Sequence, residues 1–171
     1  RRYPQGGSTG SGYLTLEGQA KLVAGQEQWS DYLLEATVML KADTGNAGLI
    51  FRVSQPGPGH DQMRGYYAGF NMKALYLGRM ENNWRQLAQV DLTKLEPKVQ
   101  LGAWNLLRVA VQGGRIRVWL NPLHDDTRPR IDLTDKAPIA RGAVGLRVHS
   151  TTACFDDVAA LPTDVLSTTV P

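Results

Sequence analysis

Apolar residues alternate with polar ones over many short stretches of the chain, with the period of two that β-strands produce. The pattern is clearest over residues 105–120, where two alternating runs flank a pair of glycines. A Gly-Gly pair supplies the positive φ angles of a tight turn, so we predict a hairpin with Val111 opposite Ile116. In this register the apolar residues share one face. On the reverse face Arg108 lies opposite Trp119, which predicts an arginine side chain stacked on an indole.

The same alternation predicts further strands over residues 31–41, 46–54, 65–71, 74–80, 84–90, 142–149 and 153–160, and two near the start at 12–17 and 20–23. Roughly nine to eleven short antiparallel strands result, each with one apolar face. Such faces are buried best when two sheets pack against each other. The predicted fold class is therefore all-β, a two-sheet antiparallel β-sandwich.

Composition limits the kind of partner that the chain can have. The 171 residues are 42% hydrophobic and 20% charged, a globular balance, and no run of about 20 apolar residues offers a membrane span. The net charge is only +3, and the basic residues are scattered instead of forming the stripe that nucleic acids require. We therefore expect neither a nucleic-acid partner nor a membrane.

Glycine, serine, threonine and proline are concentrated near both ends of the chain. We expect a flexible leader at residues 1–12, one packed domain at 13–161 and a tail or linker at 162–171. The chain begins without an initiator methionine or the apolar core of a secretion signal, which suggests a piece of a larger protein.

Motifs for catalysis and for cofactors do not fit their sequence context. The three histidines form no metalloprotease-type motif, and the single cysteine, Cys154, excludes an internal disulfide. Adjacent acids at 125–126 and 156–157 would point to opposite faces of a strand, so they do not form a glycosidase pair. We predict no catalytic residues and no required cofactor.

Planar polar and aromatic side chains are instead predicted on non-core faces and loops. Alternation places Arg52 and Arg147 on faces away from the core. Sugars present C–H patches that stack on aromatic rings and hydroxyl pairs that match guanidinium and carboxylate groups. The candidates for such contacts are Glu35, Arg52, Asp61, Tyr66, Tyr67, Asn71, Trp119 and Arg147. Two alternatives stay open: one of the adjacent tyrosines belongs to the core, and Arg52 only pairs with an acid on a neighbouring strand.

Several segments, in this order, resemble the concanavalin A-like jelly-roll modules appended to bacterial glycoside hydrolases, most of all the levan-binding family 66 of carbohydrate-binding modules. The likeness spans residues 12–161 and rests on Trp29-Ser30-Asp31-Tyr32, Asn46-Ala47-Gly48-Leu49-Ile50-Phe51-Arg52-Val53, Gly65-Tyr66-Tyr67-Ala68-Gly69-Phe70, Trp104-Asn105-Leu106-Leu107-Arg108-Val109, Gly142-Ala143-Val144-Gly145-Leu146-Arg147-Val148 and Phe155-Asp156-Asp157-Val158.

The resemblance implies a non-catalytic module that anchors a tethered enzyme to a polysaccharide, a fructan or a related sugar, outside the cell or in the periplasm. It also implies a polar pocket, to which Arg52 and Tyr67 are carried over first, followed by Glu35, Asp61 and Arg147. The related 3-keto-disaccharide hydrolase-like domains usually carry an acid in the stretch that corresponds to residues 65–70. This chain has no acid there, which argues against catalysis.

Such jelly rolls often hold a structural calcium ion, and Glu17 and Asp157 are the carboxylates expected near it if the terminal strands meet. The alternative for Asp157 is a hydrogen bond at a turn or strand end. Two other functions remain open. One is a glycoside hydrolase or lyase on the same fold, and the other is a structural module that packs on a catalytic domain.

Overall fold

The structure is a computed structural model that describes residues 2–3, 7–10, 12–123 and 128–163. Its secondary structure consists of twelve β-strands: β1 (Arg2–Tyr3), β2 (Gly7–Gly10), β3 (Tyr13–Ala24), β4 (Tyr32–Leu40), β5 (Asn46–Ser54), β6 (Arg64–Phe70), β7 (Ala74–Glu81), β8 (Trp84–Asp91), β9 (Trp104–Gln112), β10 (Arg115–Leu120), β11 (Ile131–Thr134) and β12 (Ala143–Pro162). The described residues contain no helix with the length and apolarity needed to cross a membrane.

Antiparallel pairing joins the strands in the order β11-β10-β9-β4-β12-β5-β6-β7-β8, while β3 pairs with β12, β1 and β2. The long strand β12 belongs to both layers. Its first half, through His149, pairs with β5, and its second half, from Ala153, pairs with β4. We call β11, β10, β9, β4 and the second half of β12 sheet A. The first half of β12 with β5, β6, β7 and β8 is sheet B.

The layers fold over each other where β3 and β12 pass from one sheet to the other. The pairing of these strands shifts between His149 and Thr151, and Gly18 there has a φ of 70° while Ser150 has a φ of 52°. Glycine adopts this left-handed conformation without a Cβ clash, so the strand pair bends at this point. Strands β11 and β8, at opposite ends of the strand order, also touch. The result is a sandwich that approaches a barrel, and the predicted fold class is confirmed.

The main core lies between the two sheets and follows directly from the alternation of the sequence. Leu34 and Val38 of β4 face Leu49 and Phe51 of β5, and all four are fully buried. Burial of each such side chain contributes about 1.5–3 kcal/mol. In β4 the intervening residues are partly exposed, whereas in β5 nearly every residue is buried. The outer face of sheet B is therefore covered as well.

Several predicted elements are confirmed in detail. The hairpin of β9 and β10 has the expected register, with Val111 opposite Ile116 and Arg108 opposite Trp119. The stack on Trp119 is made by Arg117 instead, 5.5 Å from the ring centre, because Arg108 pairs with an acid of β4. The two segments predicted at residues 12–17 and 20–23 form one continuous strand, β3. The two predicted at residues 142–149 and 153–160 form one continuous strand, β12. Strand β11 was not predicted.

Residues of the expected leader and tail are described only in part. Strands β1 and β2 lie within residues 1–12 and pair with β3. Of the tail predicted at 162–171, the last eight residues lie outside the described part of the chain.

Candidate functional site

A second group of buried side chains lies on the outer face of sheet B, apart from the main core. It contains Ile50, Val53, Met63, Tyr67, Met80 and Ala143, with Val23 packed at its edge. The segment between β5 and β6, residues 55–63, passes over this face and supplies Met63. We call residues 55–63 the covering loop. It turns an outer sheet surface, which would otherwise be open, into a partly enclosed polar site.

Lys21 of β3 attaches the covering loop to the sheet. Its ammonium group donates to the carbonyl oxygens of Gly57 at 2.8 Å, Gln62 at 3.1 Å and Gly59. The side chain is almost completely buried, at 1% exposure. Burial lowers the pKa of Lys21 to about 8, with Asp61 acting in the opposite direction. The loop is therefore held by a cation bound to neutral acceptors.

Arg147 of β12 lies at the centre of the site. Its guanidinium is 4.5 Å from the ring centre of Tyr67 and donates through Nε to Asp61 Oδ1 at 3.0 Å, with a second bond from Nη2 to the same oxygen. The Tyr67 hydroxyl donates to Asn46 Oδ1 at 2.6 Å. Burial raises the pKa of Tyr67 above its ordinary value. A ring of the sheet, Tyr67, and a carboxylate of the covering loop, Asp61, thus fix the position of the arginine.

Two histidines meet at the edge of the same site, although they are far apart in sequence. His60 Nε2 lies 2.8 Å from His149 Nδ1, and it lies 3.3 Å from Asp61 Oδ1. The pKa of His60 is lowered, mainly by burial and also by the charge of Arg147. At neutral pH this favours an uncharged imidazole, with a lone pair available on one ring nitrogen.

Glycines on this face leave room for aromatic rings against the sheet. A Cβ atom at Gly69 would lie 2.0 Å from the hydroxyl oxygen of Tyr67, and one at Gly78 would lie 2.2 Å from the indole of Trp84. Tyr67 is buried, whereas Trp84 is 39% exposed. Trp84 thus presents an exposed ring on this face.

This arrangement combines the chemistry that hydroxyl-rich ligands need. The Trp84 indole offers a face for C–H stacking, and Tyr67 links it to the polar group through an edge contact with ring centres 5.9 Å apart. Within the described residues, the hydrogen bonds and the ion pair of the Asp61 carboxylate use Oδ1, and the side chain is 32% exposed. Oxygen Oδ2 can therefore accept a hydrogen bond from a ligand hydroxyl.

Of the five predicted sugar-binding residues, Asp61, Tyr67 and Arg147 are brought together here, but Arg52 is not. Strand β5 carries a bulge between Phe51 and Ser54, and Arg52 has a φ of 50°. Because one extra residue reverses the alternation, Arg52 turns inward instead of outward. We therefore assign Arg52 a structural role and omit it from the site.

The guanidinium of Arg52 is fully buried among backbone acceptors. It donates to the carbonyl oxygens of Ser30 at 3.0 Å, Gly113 at 2.7 Å and Ile139 at 2.7 Å, and to the Asp31 carboxylate at 3.1 Å. Four of its five N–H donors are accounted for by these bonds. The side chain ties one end of sheet B to sheet A.

Glu35 lies in the other layer of the sandwich. It is on β4 and pairs with Arg108, its register partner on β9, at 2.9 Å. The structure therefore does not bring Glu35 to the outer face of sheet B.

The remaining sugar-binding candidates also lie elsewhere. Tyr66 faces the main core, stacks on Phe51 and donates to Asp135 at 2.7 Å. One of the two adjacent tyrosines was expected to belong to the core, and this is Tyr66. Tyr67 is buried on the opposite face of the sheet. Asn71 closes the turn before β7 by accepting from the backbone N–H of Ala74 at 2.8 Å.

Glu17 and Asp157, the two expected calcium ligands, are not adjacent. Glu17 pairs with Thr152, while Asp157 lies five positions further along β12, in a bulge where its φ is 49°. Successive strand residues advance by about 3.3 Å, which separates the two carboxylates by roughly 16 Å along the strand. The alternative expected a hydrogen bond of Asp157 at a turn or strand end, but Asp157 lies at a bulge within β12, where its backbone N–H donates to Asp156 Oδ1 at 2.8 Å.

Sequence reasoning missed Lys21, Asn46, Trp84 and both histidines of the site. The sequence alone does not bring His60 and His149 together, because their contact joins positions 89 residues apart. Alternation over residues 142–149 does put His149 on the same face of the strand as Arg147. A second indication was the segment before His60, which is rich in proline and glycine. A loop of this kind next to an outward-facing arginine indicates that the loop covers the sheet face.

A cleft with a volume of about 650 Å³ lies elsewhere and is lined by Trp29, Asp31, Tyr32, Gln112 and Pro162 among others. The Asp31 Oδ1 atom in it already accepts from Arg52 and from the backbone N–H of Gly113. The cleft therefore offers less recognition chemistry than the group around Arg147, in spite of its size.

Comparison with known proteins gives one family and several related folds. A family model described as a 3-keto-alpha-glucoside-1,2-lyase-like domain matches residues 3–160. A carbohydrate-binding module from Bacillus subtilis, CBM66, superimposes with a TM-score of 0.76 at 20% identity, covering 94% of each chain. None of the curated proteins compared with the chain by sequence matches it significantly.

Two further solved structures show how widely this architecture is shared. A putative glycosyl hydrolase from Parabacteroides distasonis has a TM-score of 0.64 at 14% identity, covering 92% of this chain and 83% of that one. Sheep galectin-11, in complex with glycerol, has a TM-score of 0.57 at 13% identity, covering 85% of this chain and 99% of that one. At these identities the comparison supports the concanavalin A-like fold.

Proposed function

Since the chain belongs to the 3-keto-alpha-glucoside-1,2-lyase-like domain family, we propose that it is a sugar-binding module of that family. It binds a fructan or a related glycan without turnover, on the outer face of sheet B. In this proposal it anchors a tethered polysaccharide-degrading enzyme to its substrate, outside the cell or in the periplasm. The similarity to the Bacillus subtilis carbohydrate-binding module supports this choice.

The observation that carries the proposal is the group formed by Arg147, Asp61 and Tyr67 next to the exposed indole of Trp84. Arg147 is only 5% exposed at its side chain, while its partner Asp61 is 32% exposed. A sugar with adjacent hydroxyls donates to the free carboxylate oxygen and accepts from the guanidinium edge. Its C–H face then stacks on Trp84.

The site is rigid before any ligand arrives. Arg147 on β12 and Tyr67 on β6 both belong to sheet B, with β5 between them, and Lys21 holds the covering loop through three carbonyl oxygens. Ordering of a loop or a long side chain costs about 0.5–1.5 kcal/mol for each immobilised side chain. Because these groups are already ordered in the folded protein, little of the contact free energy is lost to ordering when a ligand binds.

The test compares two exposed tryptophans that lie on different sheets. Trp84 is 39% exposed on sheet B, and Trp104 is 43% exposed on sheet A. The isolated protein is screened on a glycan array that includes levan, inulin, arabinan and galactan, and binding is then measured by calorimetry. We expect Trp84→Ala to weaken binding at least about fivefold, since stacking of one ring on a sugar contributes roughly 1 kcal/mol or more. Trp104→Ala should bind like the wild type.

Circular dichroism shows whether both variants keep the fold. Absence of binding to every glycan, or an equal loss in both variants, would overturn the proposed site. Release of reducing sugar during the same incubations would contradict binding without turnover.

A second function, a lyase, is favoured by the family and by the contact between His60 and His149. A 3-keto glucoside carries an acidified proton at C2, beside the C3 ketone. A base removes that proton, the C1–O bond breaks, and the aglycone leaves with the bonding electrons. Burial lowers the pKa of His60, so an imidazole of this pair can act as the base at neutral pH.

The lyase is tested with a chromogenic 3-keto-α-glucoside, followed by release of the aglycone. Turnover that disappears in both His60→Ala and His149→Ala, while Trp104→Ala stays active, would assign a lyase and replace the binding-only function. An unreactive keto-glucoside that still binds with micromolar affinity would leave the binding module as the function.

A further inference from the structure

Three potential metal ligands converge on the outer face of sheet B. His60 Nε2, Asp61 Oδ1 and His149 Nδ1 all lie within 4.8 Å of one another. Within residues 12–123 and 128–163, no other group of three histidine, cysteine or carboxylate ligands comes so close together. The residues come from the covering loop and from β12, so the fold creates the group across 89 positions of sequence.

The distances in this group suit a shared ion. His60 Nε2 is 2.8 Å from His149 Nδ1 and 3.3 Å from Asp61 Oδ1. Two ligand atoms that each lie about 2.0–2.1 Å from one metal, at angles of 90–110°, are roughly 2.9–3.4 Å apart. Both observed separations are close to this range. The third separation is at most 4.8 Å, so all three atoms border one small space.

The chemistry of the donors selects the class of metal. Two imidazole nitrogens and one carboxylate suit zinc, cobalt or nickel, whereas calcium and magnesium require mainly oxygen ligands. The single carboxylate and the nearby cations Arg147 and Lys21 also disfavour a hard ion, which depends on negative charge. Arg147 has a second role here, because a carboxylate ligand is commonly oriented by a hydrogen-bond donor behind it.

The group is accessible and has coordination positions left over. The side chains of His60 and Asp61 are 14% and 32% exposed, so an ion reaches them from solvent. Three protein ligands leave at least one position for water or for a ligand hydroxyl.

We propose that His60, Asp61 and His149 form a binding site for a divalent transition-metal ion such as Zn²⁺ or Co²⁺. The inference does not depend on sugar binding, and it is tested with metal and protein alone.

The experiment titrates the metal-free protein with CoCl₂, followed by the visible d–d absorption of the ion, and with ZnCl₂ by calorimetry. We expect one ion per chain with either metal and no measurable binding of CaCl₂. His60→Ala and His149→Ala should each lower the affinity at least about tenfold, since even the loss of an outer-shell partner costs 10–100-fold. The matched control is His124→Ala, which removes the third histidine of the chain and should leave the affinity unchanged.

Two results would overturn the inference. The first is a wild-type protein that binds neither Co²⁺ nor Zn²⁺, with His149→Ala lowering only the midpoint of thermal unfolding, because the histidine pair is then a structural hydrogen bond. The second is metal binding that survives in His60→Ala and His149→Ala but is lost in His124→Ala. Circular dichroism of each variant separates loss of a ligand from loss of the fold.

Discussion

Replacement of Arg52 by methionine gives the sharpest test of how the sandwich is held together. Methionine keeps the unbranched stem of the side chain but removes the guanidinium and its four bonds. Three of those bonds go to the backbone carbonyls of Ser30, Gly113 and Ile139. These segments come from different parts of the fold, and Arg52 is their common donor.

The magnitude follows from the carbonyl oxygens that lose this donor. A buried acceptor without a partner costs about 1–3 kcal/mol. The bond to Ile139 is fully buried, whereas the bonds to Ser30 and Gly113 are only partly so, and water replaces the donor there. Asp31 is 41% exposed, so the loss of its partner adds little. We expect the free energy of unfolding to fall by about 2–4 kcal/mol in total, mostly through the Ile139 carbonyl, with smaller losses at the two partly buried acceptors.

Urea denaturation, followed by tryptophan fluorescence, measures this change as a shift in the midpoint at constant slope. Arg52→Lys keeps the charge but loses the planar fork, so it should lie between the wild type and Arg52→Met. The matched control is Arg115→Ala, which removes a surface pair with Asp132 whose arginine is 53% exposed. We expect the control to cost less than about 1 kcal/mol. A loss of under about 1 kcal/mol in Arg52→Met would refute the structural role of Arg52.

Two further predictions concern buried polar groups. The pKa of Lys21 falls from 10.5 to about 8 on folding, so between these values the unfolded chain binds more protons and this group makes stability rise with pH. The free energy of unfolding of the wild type, measured in urea relative to Lys21→Met, should therefore increase from pH 8 to pH 10.5, and a decrease would contradict it. Tyr66→Phe removes the donor to Asp135 and the acceptor for the Ile139 N–H and should cost about 1–3 kcal/mol. Tyr76→Phe, which loses one 3.4 Å contact, should cost less than half as much, and equal losses would refute the argument.

The fold was predictable from the sequence because a period of two fixes which residues face inward. It placed β5 at its observed bounds and gave the register of the hairpin of β9 and β10. It did not reveal that residues 142–149 and 153–160 form one strand, since the bulges of β12 interrupt the alternation. The residues that join the two sheets could be identified only from the structure, not from the alternation of the sequence.

The site was predictable in part, for a physical reason that Arg52 illustrates. Alternation shows on which face a side chain lies only while the strand is regular, and the bulge of β5 reverses it at that residue. Arg147 lies in a regular stretch of β12, and its outward direction was predicted correctly. The contact of His60 with His149 depends on where the covering loop is attached, and Lys21 attaches it through backbone carbonyls, which carry no sequence signal.

Two of the three buried arginines in the described part of the chain, Arg52 and Arg147, show how the acceptors around a cation indicate its role. Three of the four bonds of Arg52 go to backbone carbonyls that belong to the fold, and a ligand could replace them only by unfolding that end of the sandwich. Arg147 binds a carboxylate that remains 32% exposed, and it stacks on the ring of Tyr67. A polar ligand that binds Asp61 from the solvent side competes for a group that water already reaches. Replacement of a protein partner by a ligand near Arg147 therefore costs little free energy, whereas at Arg52 it requires unfolding of that end of the sandwich. Of these two arginines, only Arg147 is suited to recognition.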